Sequence, residues 1–296
     1  MKYLALVLVF VMTFGGVIVA AGLDAGIHLV TRVMLPAMPG EVMIIIGVAI
    51  AAFIIANPPS LVKQTLGYMR CLSKPAAHDK TSYIELLSLL FMLFKLARTK
   101  GWLALEQHIE YPEESTLFAE FPSVKNNHHA LVFLCDYLRI ISLGNDSAHE
   151  IEALMDEEIE TITHHEQHPG HAVQVMADGL PALGIVAAVL GVIKTMASID
   201  QPPEILGKLI GSALVGTFLG VWAGYGFAGP IAGAMLNRAD TEIMYYRCIK
   251  VGIIAFLNGA APQVAVEFSR KLLSHDVQPT FLELEEKLNN LPTPTS

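Results

Sequence analysis

Charge is scarce in this chain. Of its 296 residues, 16% are Asp, Glu, Lys or Arg and 53% are hydrophobic, a balance too apolar for an ordinary soluble domain. The charge that is present runs acidic, with 19 Lys and Arg against 28 Asp and Glu and a formal net charge of -9. That excludes the basic surface on which nucleic-acid binding depends. Cysteine is nearly missing as well. Cys71, Cys135 and Cys248 are odd in number and lack paired or metal-ligand spacing, which predicts free thiols in a reducing compartment and no disulfide framework. No glycine-rich phosphate loop, nucleophile elbow or zinc-binding histidine motif occurs. Hydrolytic and redox catalysis therefore have no candidate site, so the chain is not expected to be an enzyme and no cofactor is implied.

What is present is apolar sequence in long runs. One begins at Tyr3 and continues to Leu23, a second covers Val42 to Ala56, a third is centred on Leu180 to Val192, and a fourth runs uncharged from Leu209 to Leu236. A bilayer core of about 30 Å takes roughly 20 apolar residues at 1.5 Å each. The first run exceeds the h-region of a signal peptide, and the second is short enough to need flanking residues. None of the four runs contains Asp, Glu, Lys, Arg or His. A span that relays protons by itself needs such a group at depth, so the chain is not expected to be a complete proton carrier.

The pattern predicts an all-α polytopic membrane protein with four transmembrane helices and a large helical cytoplasmic domain. The expected divisions are a first span at 1–23, a periplasmic segment at 24–41, a second span at 42–57 and a cytoplasmic helical domain at 58–177. A third span at 178–197, a periplasmic turn at 198–208, a fourth span at 209–236 and cytoplasmic C-terminal helices and tail at 237–296 complete the chain. Lys63, Arg70, Lys74 and Lys80 at the start of the large loop, with Arg238, Arg247 and Lys250 after the last span, place both termini and the loop inside by the positive-inside rule.

Several residues stand out within this frame. Ser212, Gly216, Gly220, Gly224, Ala228 and Ala232 recur every fourth position, which on a helix makes a smooth stripe for close backbone approach. Thr217 and Tyr225 are polar groups on the same run, with Trp222 and Tyr225 as packing, anchoring or pore candidates. Pro181 and Pro230 lie at the ends of the third and fourth spans that face the loop domain, where each removes a helix hydrogen bond; together they predict a flexible collar. In the loop, Leu87, Leu90, Phe91 and Phe94 share one helical face, with Gly101 ending the helix. The stretch Glu150 to Glu160 reads as an acidic helix whose Ile151, Leu154, Met155 and Ile159 share a face. His164 and His168 have the spacing of two ligands on one turn, but no further ligand set accompanies them, and Pro169-Gly170 is expected to interrupt that helix. Thr280 and Glu283 form a capping box, and Leu291 to Ser296 reads as a disordered tail.

The runs Leu180 to Val192, Val215 to Gly220 and Tyr225 to Pro230, the acidic helix Glu152 to Glu160 and the segment Asn258 to Lys271 together resemble the MotA family of flagellar stator subunits, within the wider MotA/TolQ/ExbB group. Two spans before the large loop are similar to MotA, whereas TolQ and ExbB have one. The resemblance implies an ion-driven torque generator in the bacterial inner membrane, a pentameric ring around a MotB-type single-span partner whose aspartate binds the ion. It further implies contact with the rotor protein FliG through Arg98 and Glu106, and through Glu158. It assigns Pro181 and Pro230 to coupling and Thr217 to the ion site. Sodium-driven relatives of PomA type carry a threonine where this chain has Ala188, so H+ is favoured over Na+ as the transported ion. A PomA-like sodium stator, a TolQ/ExbB-like energiser and a membrane scaffold are the competing readings.

Overall fold

The computed structural model describes residues 2–71, 78–144 and 146–291. Lys74, the side chains of Lys2 and Cys71, and the tail 292–296 lie outside the described residues, and with them part of the charge, thiol and tail expectations. The described residues are helical throughout, without strands. The α-helices in chain order are α1 (Lys2–Ala21), α2 (Leu23–Leu29), α3 (Leu35–Ala56), α4 (Pro59–Cys71), α5 (Lys80–Lys100), α6 (Glu106–Glu110), α7 (Thr116–Ala119) and α8 (Pro122–Lys125). They continue as α9 (His128–Ser142), α10 (Ala148–Met196), α11 (Pro203–Ala223), α12 (Gly229–Leu257), α13 (Pro262–Leu272) and α14 (Phe281–Asn289). Two π-helical turns, Val30–Met34 and Gly224–Ala228, join α2 to α3 and α11 to α12. The chain divides into two compact units, residues 1–75 with 167–237 and residues 76–166 with 238–296.

The first unit holds the apolar helices. Among the described residues, four helical stretches are long and apolar enough to cross a membrane: Leu4–Ala21, Leu23–Ala56, and windows within Ala148–Met196 and Pro203–Leu257. Gly22, at φ 84°, reverses the chain between α1 and α2, and Gly26 lies so close to Ile18 that an added Cβ would stand 2.5 Å from its Cα. The expected polar segment at 24–41 is therefore largely helix. A helical start keeps backbone groups paired next to an apolar environment, and α3 gains from it the length that the apolar run alone lacked, 22 residues in all.

α10 and α11 pack backbone to backbone. A Cβ at Gly220 would fall 2.6 Å from both the Gly184 Cα and the Leu180 carbonyl oxygen, and one at Gly224 would fall 2.9 Å from the Ala177 carbonyl oxygen. Gly191 meets Ala213 in the same way. The stripe of small residues on α11 thus has a matching one on α10, at Ala177, Gly184, Ala187 and Gly191, which the four-residue pattern of α11 alone did not reveal. Pro169 and Gly170 do not interrupt α10; both are buried, and Gly170 is closed over by Leu236, 2.7 Å from where a Cβ would sit. Packing on that side compensates the hydrogen bond that Pro169 removes.

The second unit is a soluble-type helical core. α5 lies at its centre: Leu86, Leu87, Leu89, Leu90, Leu93 and Phe94 are fully buried. The expected single apolar face is thus a helix buried on most sides between Tyr83 and Ala97, with Lys95 exposed, because α8, α13 and α14 pack against it. Asp79 caps its start by accepting from the Ser82 amide, and Gly101 ends it at φ 82°. On α10, Ile151, Met155 and Ile159 are buried, while Leu154 is half-exposed. Cys135 and Cys248 are buried free thiols, and burial pushes both up to about 12, which leaves them inert as nucleophiles. The capping box of α14 forms as expected: the Thr280 hydroxyl accepts from the Glu283 amide at 3.2 Å, and the Glu283 carboxylate accepts from the Thr280 amide at 2.7 Å. The tail is anchored by Arg270, 5% exposed, which grips Glu267 in a fork at 2.9 Å and donates to the Pro279 carbonyl at 2.9 Å.

Two predictions follow from these contacts. Gly220→Val drives a side chain into the Gly184 backbone and should abolish accumulation of folded protein in the membrane, whereas Gly207→Ala, which meets nothing within 4 Å, should be silent; membrane fractionation with thermal unfolding reads both. The Lys80 ammonium, the Thr280 amide and the Thr280 hydroxyl hold Glu283 down at about 2. A depressed carboxyl contributes stability above its unfolded value, about 4.3, and loses it as pH falls toward about 2. Fraying of α14, followed by hydrogen exchange, should rise across that window, and Glu283→Gln should remove the pH dependence.

Candidate functional site

Within the first unit, the seam between α10 and α11 positions the ion-path candidates. A Cβ at Gly216 would lie 3.1 Å from the Ala188 amide nitrogen and 3.1 Å from the Ala187 methyl, so Ala188 stands beside the residue that precedes Thr217. Thr217 itself is half-buried. Pro181 meets the same helix one step further along, its Cδ 3.2 Å from a Cβ at Gly224. Pro230 follows the π-helical turn Gly224–Ala228, about 9 Å along the axis from Gly224 at 1.5 Å per residue. The fourth apolar run is therefore broken by a wider turn just before its proline, a type of helix irregularity often found at functional positions. Tyr225 sits on that turn and is 68% exposed.

Trp222 is not an exposed anchor. Its indole Nε1 donates to the Thr13 hydroxyl at 3.0 Å, and Thr13 donates to the Val9 carbonyl at 2.7 Å. Phe10, Phe14 and Phe227 meet the indole edge to face at 4.7–5.7 Å. This joins α1 to α11, a contact that sequence spacing could not show, because Thr13 reads there as an ordinary small polar residue in an apolar run.

Glu41 is the residue that reasoning from the apolar runs missed. It was assigned to the segment before the second run, but it lies inside α3, 8% exposed. Its Oε2 is buried without a hydrogen-bond partner and lies 2.7 Å from where a Gly216 Cβ would be. The helix start at Leu35, set by Pro36 in its first turn, was the available signal.

The rotor-contact candidates are in the second unit. Arg98 is exposed in the last turn of α5 and donates to the Ala260 carbonyl at 3.2 Å. Glu106, also exposed, opens α6 beyond the Gly101 turn. Glu158 is tied elsewhere, accepting from the Tyr137 hydroxyl at 2.7 Å, and with Asp136, Arg139 and Leu154 it lines an open cleft. Burial, and after it the bond to Glu158, holds the Tyr137 phenol well above its ordinary value. The structure thus places Arg98 and Glu106 on adjoining elements and Glu158 on another helix. The acidic helix also has a partner that was not anticipated: Lys250 reaches Asp156 at 2.6 Å and Glu152 at 3.4 Å. His164 and His165 are exposed, and among the described residues no group of three or more His, Cys, Asp or Glu is placed to hold a metal.

Apolar helices of spanning length, joined by glycine seams, are the build of a polytopic membrane protein. Comparison with known proteins carries this further. Residues 3–101 match the profile of the motility protein A N-terminal region, and residues 126–247 match that of the MotA/TolQ/ExbB proton channel family. The chain is 41% identical over 281 residues to motility protein A of Salmonella typhimurium, covering 94% of this chain and 95% of that one. It is 34% identical to the chemotaxis protein LafT of Vibrio parahaemolyticus, covering 97% and 98%. The flagellar MotAB stator complex from Bacillus subtilis contains a chain of the same fold, with TM-score 0.70 and 27% identity over 96% of this chain and 98% of that one. The chain belongs to the MotA/TolQ/ExbB family and, within it, to the MotA flagellar stator subunits, which are motor-channel components and not enzymes.

The Lys250 bridge is open to a direct check. Its ammonium is 14% exposed while its partners are 47% and 60% exposed, so solvent screens the pair and Lys250→Met should cost about 1 kcal/mol. A lowered thermal midpoint that Lys250→Arg largely restores is the expected result.

Proposed function

We propose that this chain is the larger subunit of a proton-driven stator that works with a MotB-type single-span partner supplying the ion-binding aspartate. The observation that carries the reading is the seam that sets Ala188 of α10 against Gly216, the residue before Thr217, on α11, with an exposed Tyr225 on the helix break that follows. Such a wall suits a single helix from another chain running along it. The Bacillus subtilis relative was solved as a MotAB stator complex, which supports that kind of partner here. A pentameric ring around two partner helices, with both termini and the loop domain cytoplasmic in the inner membrane, is the assembly we infer.

Ala188 favours protons. A sodium ion stripped of water needs several oxygen ligands, as other hard cations do, and Ala188 offers only a methyl group where a threonine would add one. In the proposed cycle, protonation of the partner's aspartate loosens its contact with the wall, the ring steps, and Arg98 and Glu106 press on FliG of the rotor. Exposed charge pairs of roughly 0 to 1 kcal/mol suit a contact that is made and released at every step. Pro181 and Pro230 are assigned to passing motion from the spans to the loop domain.

The test is motor speed in cells that rely on this chain and its partner while sodium and pH gradients are varied separately. Speed that follows the proton gradient and ignores sodium is expected; sodium dependence would favour a PomA-type motor, and normal motility without the chain would favour a scaffold. Pro181→Ala and Pro230→Ala should assemble yet lose torque, and Arg98→Glu should do the same.

A further inference from the structure

We propose that Glu41 is a proton-binding site within the spans of this subunit, holding a proton at the level of Gly216 and exchanging it with the ion path beside Thr217. The inference rests on the stator reading above and extends it to a residue of this chain. Glu41 is buried, and its Oε2 has no hydrogen-bond partner. A Cβ on Gly216 would stand 2.7 Å from that oxygen and 3.1 Å from both the Ala187 methyl and the Ala188 amide nitrogen, so Glu41 of α3 reaches the place where α10 and α11 meet. An ionised carboxylate with an unpaired oxygen among such neighbours is costly, and a carboxyl there is held neutral unless it is paired.

The surrounding groups narrow the ligand to a proton. Glycine and alanine provide no side-chain oxygen, so the side chains at this point offer a sodium ion one carboxylate and no second ligand. Within this unit, the charged and titratable groups on the elements around Glu41 are Arg32 on the π-helical turn, His168, His171, Asp178 and Lys194 on α10, and Glu204 and Lys208 on α11. Gly216 makes the arrangement possible, because any side chain there would occupy the space of Oε2. The exchange is a plain transfer: Glu41 gives its proton to water or to the partner's carboxylate and takes one back from the outer side, with no other bond made or broken.

The experiment uses the full complex of this chain with its partner in lipid nanodiscs, with glutamate labelled by carbon-13 so that its carboxyl band separates from that of aspartate. Infrared spectra of the wild type should show a protonated glutamic acid band at neutral pH that fades on alkaline titration. The band should be absent in Glu41→Gln and present, now as aspartic acid, in Glu41→Asp. In cells, Glu41→Gln should remain motile with its speed-against-external-pH curve displaced, and Glu41→Asp should lie nearer the wild type. A wild-type complex with no such band overturns the proposal even if Glu41→Gln fails to assemble, and so does a Glu41→Gln pH curve superimposed on the wild type. A wild type that ignores the proton gradient would instead overturn the proton-driven stator reading, so the two failures are told apart.

Discussion

The spans depend on one constraint, the approach of two helix backbones at Gly184 and Gly220. In an apolar solvent, water gives no incentive for apolar helices to associate, so contact has to come from close packing. The absent side chains at Gly184, Gly191, Gly216, Gly220 and Gly224, the last facing the Ala177 carbonyl, supply it. Everything placed along the seam inherits its precision: the Ala188 amide beside Gly216, the Pro181 ring on Gly224, and the pocket in which Glu41 lies. With bulkier residues the polar groups would still be present but would not be gathered at one level.

The second unit is organised by a different principle. α5 is buried on most sides in a water-soluble type of core, and charge is used at its margins to lock terminal segments. Arg270 is spent on internal bonds to Glu267 and Pro279, while Arg98 and Glu106 stay exposed where another protein can reach them. Glu158 is between these cases, exposed yet already bonded to Tyr137. A rotor contact through Glu158 therefore has to compete with a hydrogen bond, whereas one through Glu106 does not.

Much of this was legible in the sequence, and the exceptions share a cause. The apolar runs, the stripe on α11, the turn at Gly101 and the capping box at Thr280 are local patterns, fixed by spacing along one helix. The matching stripe on α10, the Trp222 bond to Thr13 and the Lys250 bridge are pairings between distant segments, which no local period reveals. Glu41 was misplaced because the apolar run was taken to begin at Val42, while the helix begins at Leu35. Pro169 was misread for the converse reason: its local cost is real, but burial against Leu236 outweighs it.

The aromatic setting of Trp222 has a practical side. The chain contains two tryptophans, and they fall in different units: Trp222 sits among Phe10, Phe14 and Phe227, while Trp102 meets Phe256 edge to face at 5.6 Å. Each unit thus carries its own built-in fluorophore in a packed aromatic environment. Removing either indole leaves an emission signal that belongs to one unit alone, so the order in which the membrane helices and the helical core lose their structure can be followed optically without attaching a dye.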